Sequence, residues 1–379
     1  MQLKNLLNNT LSLLALSLTI GTTAAIAATP YVDSVKGRVE LKRKNASDEG
    51  FRVITRGPVS LSSGDQLRIS LGAIAKVVCP GQNAIVEKRG TGERLSTQKI
   101  CPTWRAVIDK GAPPIGEMGG KDAQIPYLIS PRRSLILTST PTLRWNPVAG
   151  ATQYTVQIKN AQGIVWKTQV KTPQVTYPGT TALTPGIPYT VIIKTNTGKS
   201  SESEFGSQFL LLRSAELKTV QAETNLITQI DASPEIKALR LADYYASYQL
   251  PEPTAYGLTE KTVKDYSLSA NAIDTLETLL KTSKPTPLIY RKLGTLYTNI
   301  GVTLPAEQAY LKAIDSIQSP EDLEEWTLTA VALGELYELA QEQKQAIGWY
   351  QQARAGFIFL SDKRAETLIY RIEKLKMVL

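Results

Sequence analysis

The 379-residue chain contains no histidine and only two cysteines, Cys79 and Cys101. Ser-His-Asp and Cys-His catalysis are therefore excluded, as is any zinc site that needs histidine or four cysteines. No S-x-x-K set stands in a coherent context for a Ser-Lys hydrolase, and no carboxylate pair has a matching partner for acid–base work. Gly90-Thr-Gly92 looks like the start of a phosphate loop, but no helix-forming run follows it, so it reads as a hairpin turn. Asp65, directly after Gly64, reads as turn chemistry, its carboxylate bonding neighbouring amides. The expectation is a protein that is not an enzyme and has no metal and no cofactor.

The elements that carry these residues begin with an export signal. Residues 1–27 combine Lys4, an apolar run from Leu11 to Ile20 and the small-x-small site Ala25-Ile26-Ala27, the pattern of a cleaved signal peptide. No cysteine lies near the site to take a lipid. No later run approaches the ~20 apolar residues of a membrane-spanning helix, so no transmembrane span is expected after cleavage. The expected location is an exported one, the periplasm or cell envelope. In an oxidising compartment the pair Cys79 and Cys101, each followed by proline at the end of a strand-like run, is expected to form a structural disulfide.

The net charge of +9 is uneven: the front two-thirds is basic and the last third acidic, as expected for separate domains. A basic surface favours anionic partners such as envelope glycan. The lysines and arginines are scattered, without the dense tract of a nucleic-acid arm, so no nucleic acid is expected.

Over residues 30–110 apolar side chains alternate (Val35, Val39, Leu41, Leu67, Ile69, Val77), with glycine and polar punctuation between runs, which signals a small all-β sandwich or barrel. Val35-Lys-Gly37-Arg-Val39 and Leu61-Ser-Ser-Gly64-Asp65-Gln-Leu67-Arg68 resemble the FecR-type periplasmic domain. The resemblance implies that fold and a Gram-negative-type envelope. FecR regulators also carry a cytoplasmic segment and a transmembrane helix, which this chain lacks. Residues 111–126 are rich in glycine and proline and read as a linker. Residues 127–213 hold a second β register, with Pro141-Thr-Leu143-Arg-Trp145-Asn-Pro147-Val148, Tyr154 and Leu183-Thr-Pro185-Gly186-Ile-Pro-Tyr189. This segment resembles a fibronectin type III-like β-sandwich. Trp145 and Tyr189 then belong to its core, Tyr189 at the tyrosine-corner position.

Residues 214–379 change to a 3.6-residue period. Leu293-Gly294-x-x-Tyr297 is repeated forty residues on as Leu333-Gly334-x-x-Tyr337, with Ala306, Tyr310 and Ala313 matched by Ala346, Tyr350 and Ala353. This resembles the tetratricopeptide pattern of stacked helix pairs, with the turn between helices at Gly301 in one copy and Gln341 in the other. An earlier, degenerate copy has Leu241-Ala242-x-x-Tyr245 and a second helix over 272–280. Ser233-Pro234-Glu235 and Ser319-Pro320-Glu321 read as helix starts, 251–265 as an insertion and 365–378 as a capping helix. The resemblance implies a groove lined by the first helix of each pair. By register its candidates are Leu288, Arg291, Thr295, Thr298 and Asn299, then Leu328, Val331, Glu335, Glu338 and Leu339. The asparagine–lysine clamp that some family members use for terminal carboxylates is missing.

The expected fold class is multidomain β + α: two small all-β domains followed by an all-α, TPR-like helical solenoid. The expected function is a non-enzymatic exported scaffold or adaptor that binds a partner protein through the groove. The alternative is a cell-envelope glycan-binding protein acting through its β domains.

Overall fold

The computed structural model describes residues 29–47, 50–80, 85–102, 104, 118–256, 258 and 266–379. The expected signal peptide, linker residues 111–117, and residues 257 and 259–265 of the insertion lie outside them. Strands occupy the chain up to residue 211, and from 214 to 376 it is helical, β followed by α as expected.

The first module pairs two four-stranded sheets. One has the order β4-β1-β6-β7, from Val59–Ser60, Tyr31–Lys36, Ile74–Val78 and Ile85–Arg89; the other runs β3-β2-β5-β8, from Phe51–Val53, Val39–Lys42, Gln66–Ile69 and Arg94–Ser96. The alternating apolar residues point inward, where Val39, Leu67, Ile69, Ala75 and Val77 form the core. Gly90-Thr-Gly92 differs from the expected hairpin, because it carries the chain from one sheet to the other. Gly90 is required there by close backbone approach: a Cβ would overlap the Ser70 carbonyl. Cys79 and Cys101 are disulfide-bonded, with Cα atoms 5.5 Å apart. The bridge closes a loop with a sequence separation of 22 and ties the short helix α1 (Thr97–Ile100) to the end of β6. Replacing both cysteines by alanine is expected to lower stability by about 3 kcal/mol, measured as the shift in the urea midpoint.

The second module faces a five-stranded sheet, β10-β16-β15-β12-β13 (Ser134–Ile136, Gln208–Leu211, Pro188–Thr195, Tyr154–Asn160, Gly163–Val170), against a three-stranded one, β14-β11-β9 (Gln174–Thr176, Thr142–Trp145, Leu128–Ser130). Trp145 and Tyr189 are buried in its core. The Tyr189 hydroxyl accepts the Thr184 N–H at 2.8 Å, which ties the preceding connection to the sheet.

Among the described residues eight α-helices follow: α2 (Ser214–Gln229), α3 (Pro234–Ser247), α4 (Ser269–Thr282), α5 (Pro287–Asn299), α6 (Thr303–Asp315), α7 (Leu323–Leu339), α8 (Gln343–Phe359) and α9 (Arg364–Lys376). Helices α3–α4, α5–α6 and α7–α8 pack as consecutive pairs, and α9 packs on α8. The repeated residues set the crossings. Gly294 lies against the ring of Tyr310 and Gly334 against that of Tyr350, each so close that a Cβ would meet the aromatic carbons. Ala306, Ala313, Ala346 and Ala353 are fully buried beside them. Tyr297 and Tyr337 each donate a hydroxyl to a carboxylate of the preceding pair, Glu277 and Glu307. Ser233 caps α3 as expected. At 319, however, the chain first makes a short 3-10 turn, Pro320–Asp322, and α7 starts only at Leu323.

The turn positions after α5, α7 and α8 are all left-handed: Gly301 (φ 75°), Gln341 (φ 62°) and Ser361 (φ 51°). In each, the next N–H reaches back to close the helix, as from Glu342 to the Tyr337 carbonyl at 2.8 Å. A left-handed residue with a Cβ costs roughly 1–2 kcal/mol, and glycine returns part of that as chain entropy. Gln341→Gly is therefore expected to raise stability by about 0.5–1 kcal/mol, seen as a higher thermal midpoint.

Candidate functional site

The first module does not stand apart from the helices. Tyr31 and Val78 share a hydrophobic cluster with Leu239, Leu276, Leu293 and Leu296, and the linker side chain Met118 and Tyr127 of the second module join it. The Tyr31 hydroxyl donates to Asp243 at 2.6 Å, and Asp243 also accepts from Lys292 at 2.5 Å. Arg43 joins the modules: its Nη1 donates to Asp65 at 2.7 Å and its Nε to Glu324 of α7 at 2.6 Å. Burial works against the Arg43 charge, but Glu324 and Asp65 outweigh it and raise the pKa. Asp65 is turn chemistry as expected, accepting the Ser62 N–H at 2.8 Å, and it also anchors this bridge. Arg52 donates to the Leu360 carbonyl at 2.5 Å, and backbone bonds join Ser47 to Ser361 and Lys363 to Asn45.

The second module is held as firmly. Arg132, 1% exposed, donates Nε to the Ile300 carbonyl at 3.0 Å and Nη2 to that of Gly301 at 3.4 Å, at the C-terminal end of α5. Its third nitrogen reaches the Leu128 carbonyl at 3.3 Å. Burial pushes the Arg132 pKa down to about 10. The last part of the linker docks on the same turn, where Gly119 exchanges backbone bonds with Gly301 and Thr303. Leu135, Leu210 and Leu212 share a cluster with Val220 and Tyr244.

These contacts decide what becomes of the groove candidates. Thr298 is buried, its hydroxyl bonded to the Gly294 carbonyl at 3.0 Å and to Tyr310 at 3.1 Å, so it supports the crossing and lines no open surface. Thr295 bonds back to the Arg291 carbonyl. Arg291 forms a two-pronged ion pair with Glu325 on the next pair, at 2.7 and 3.2 Å. Glu335 and Glu338 both hold Arg371 of α9, at 2.9 and 2.8 Å, and Glu338 also accepts the Tyr350 hydroxyl. Leu328 and Val331 pack against the last helical cluster and Leu339 against the larger one. Asn299 is half-buried. The charged candidates thus staple one helix to another, a role that register alone does not reveal.

One candidate, Leu288, is buried in the wall of an open cleft. Between the first module and the helix starts runs a cleft of about 400 Å3. One wall is the edge strand β3 and its connection to β4, including Val53, Arg56 and Pro58. The other wall is built from Pro285 and Leu288 at the start of α5 and from the turn before α7. Arg56 pairs with Asp322 across it. Glu235 sits in the same cleft and makes no ion pair among the described residues; burial raises its pKa, partly offset by the Thr286 hydroxyl that donates to it. Sequence reasoning missed this site because it exists only once two segments far apart in the chain are brought together.

The closing contacts are acid-sensitive. Burial raises the pKa of Asp322, but bonds from Arg56, Gln318 and Ser319 outweigh it and leave the group below the usual carboxylate range. Asp362 is lowered in the same way by Arg364. A carboxylate with a depressed folded pKa adds stability above its unfolded value of about 3.9, and that stability is lost as pH falls toward the folded value. The chain is expected to lose stability from about pH 4 downward, and Arg56→Gln to flatten that slope, read by urea titrations at successive pH values.

Among the described residues no group of three or more Cys, Asp or Glu could hold a metal ion, and no helix is long and apolar enough to cross a membrane. Trp145 and Tyr189, the aromatics a glycan would stack on, are buried. No family model matches the chain, and no curated protein matches it. Among solved structures it is similar to BtubC (BKLC) from P. vanneervenii, at 15% identity over 43% of this chain and 73% of that one. The TM-score is 0.27, too low to carry an assignment of fold or function.

Proposed function

We propose that this protein is a non-enzymatic exported scaffold that holds a segment of a partner protein in the cleft between its first β module and the helix starts. The observation that carries the reading is the cleft itself. Leu288, one of the expected groove residues, lines its wall although it is only 4% exposed, while the charged candidates farther along are consumed in internal ion pairs. An edge strand offers unpaired backbone groups, and apolar side chains flanked by charge offer the few anchors that set specificity. A chain without histidine favours binding over catalysis, and the disulfide fits an oxidising compartment.

Photo-crosslinkers placed at Val53 and Lys284 in the cleft, and at Leu71 on the far exposed turn, test this in the native envelope. The reading requires one protein partner captured from both cleft positions and not from Leu71. Purified, that partner should lose at least tenfold in affinity to a Val53→Asp, Arg56→Glu chain whose fold is intact. Capture only at Leu71, or salt-sensitive sedimentation with peptidoglycan and no protein adduct, would replace the adaptor reading with the glycan one.

A further inference from the structure

Seven of the thirteen large apolar side chains left exposed among the described residues fall within the last 22 positions, among them Phe359 (80%), Tyr370 (76%) and Met377 (83%). Ile358 and Phe359 end α8, Met377, Val378 and Leu379 follow α9, and Ile369 and Tyr370 lie on α9 itself. Its inner face, Ala365, Leu368, Ile372 and Leu375, is buried against α8. Its outer face carries Ile369 and Tyr370, with Met377 just past its last turn, and no described element covers them. An exposed apolar patch of this kind marks a contact surface.

The charges on that face say which occupant fits. Glu366, Tyr370 and Lys374 stand four residues apart and so form one stripe along the helix. Neither Glu366 nor Lys374 has a side-chain ion-pair partner among the described residues, whereas Arg371 on the inner flank is consumed by Glu335 and Glu338. We infer that the outer face of α9 is a self-association surface, on which a second copy of this chain docks antiparallel about a two-fold axis at Tyr370. In such an isologous contact Glu366 of each copy meets Lys374 of the other, and the two tyrosines pack at the centre. The stripe is self-complementary in this orientation. A parallel pairing would oppose like charges.

Sedimentation equilibrium of the full chain, with and without residues 1–27, tests the inference. A dimer is expected with a Kd of about 1–100 µM, and Tyr370→Lys should abolish it while leaving the thermal midpoint unchanged. E366K alone and K374E alone should each weaken the dimer about tenfold through two like-charge contacts. An equimolar mixture of the two single variants should restore it, because each then supplies what the other lacks. A monomeric wild-type chain, a dimer indifferent to these substitutions, or a mixture no tighter than its components would overturn the proposal. So would binding of the monomer to anionic lipid vesicles through the same face.

Discussion

Arg132→Ala is expected to be the most damaging single substitution outside the hydrophobic clusters, lowering stability by about 3–5 kcal/mol. The guanidinium spans the second module and the end of α5, and its loss takes a donor from the carbonyls of Leu128, Ile300 and Gly301, of which Gly301 keeps the Gly119 N–H. It also removes a cation from the negative end of the helix dipole. Gly119 and Gly206 both crowd the guanidinium, so little room is left for another side chain to replace it. Arg132→Lys should recover less than half of the loss, because a single ammonium cannot reproduce a planar fork aimed at separate acceptors. Urea unfolding followed by circular dichroism reads the difference. A loss below about 1 kcal/mol would show that the carbonyls find other donors.

The second large effect separates two glycines of the same helical array. Gly294→Ala places a methyl 2.5 Å from the Tyr310 ring carbons, and the ring is itself held by Thr295 and Thr298. Forcing the helices apart there should cost about 2–3 kcal/mol. Gly348→Ala, in α8, meets nothing within 4 Å. The same change there should stabilise by about 0.5–1 kcal/mol, since alanine is the better helix former and freezes out less chain entropy. Opposite signs for one chemical substitution show that Gly294 is retained for contact and not for chain flexibility. Equal signs would contradict the Gly–Tyr crossing.

The sequence was most legible where a local rule acts alone. The forty-residue echo of Leu-Gly-x-x-Tyr located the crossings, because only glycine admits the ring that follows sixteen residues later. Alternation found both β modules, and the cysteine pair found its bridge. Some signals were present but unread. Thr286-Pro287 has the same form as Ser233-Pro234, and it caps α5 through the Thr286 hydroxyl. What no local pattern carries is the pairing of distant charges. Arg291, Glu335 and Glu338 look like groove residues by register, yet their partners Glu325 and Arg371 sit on neighbouring helices at distances along the chain that no motif fixes. Arg132 reads as one of several scattered basic residues until the turn at 300–301 is brought against it. Charge asymmetry between front and back suggested independent domains, while in the folded chain the basic front is neutralised by the acidic rear at Arg43–Glu324 and Arg56–Asp322.

That long-range neutralisation bears on how the protein is born. Tyr31 finds Asp243 212 positions downstream, and Arg43 finds Glu324 281 positions downstream. At a ribosomal pace of about 5–20 residues per second, the leading module waits roughly 10–60 s for its counterpart to emerge. During that interval its docking face is bare, and a nascent chain is open to capture by whatever holdase meets it first.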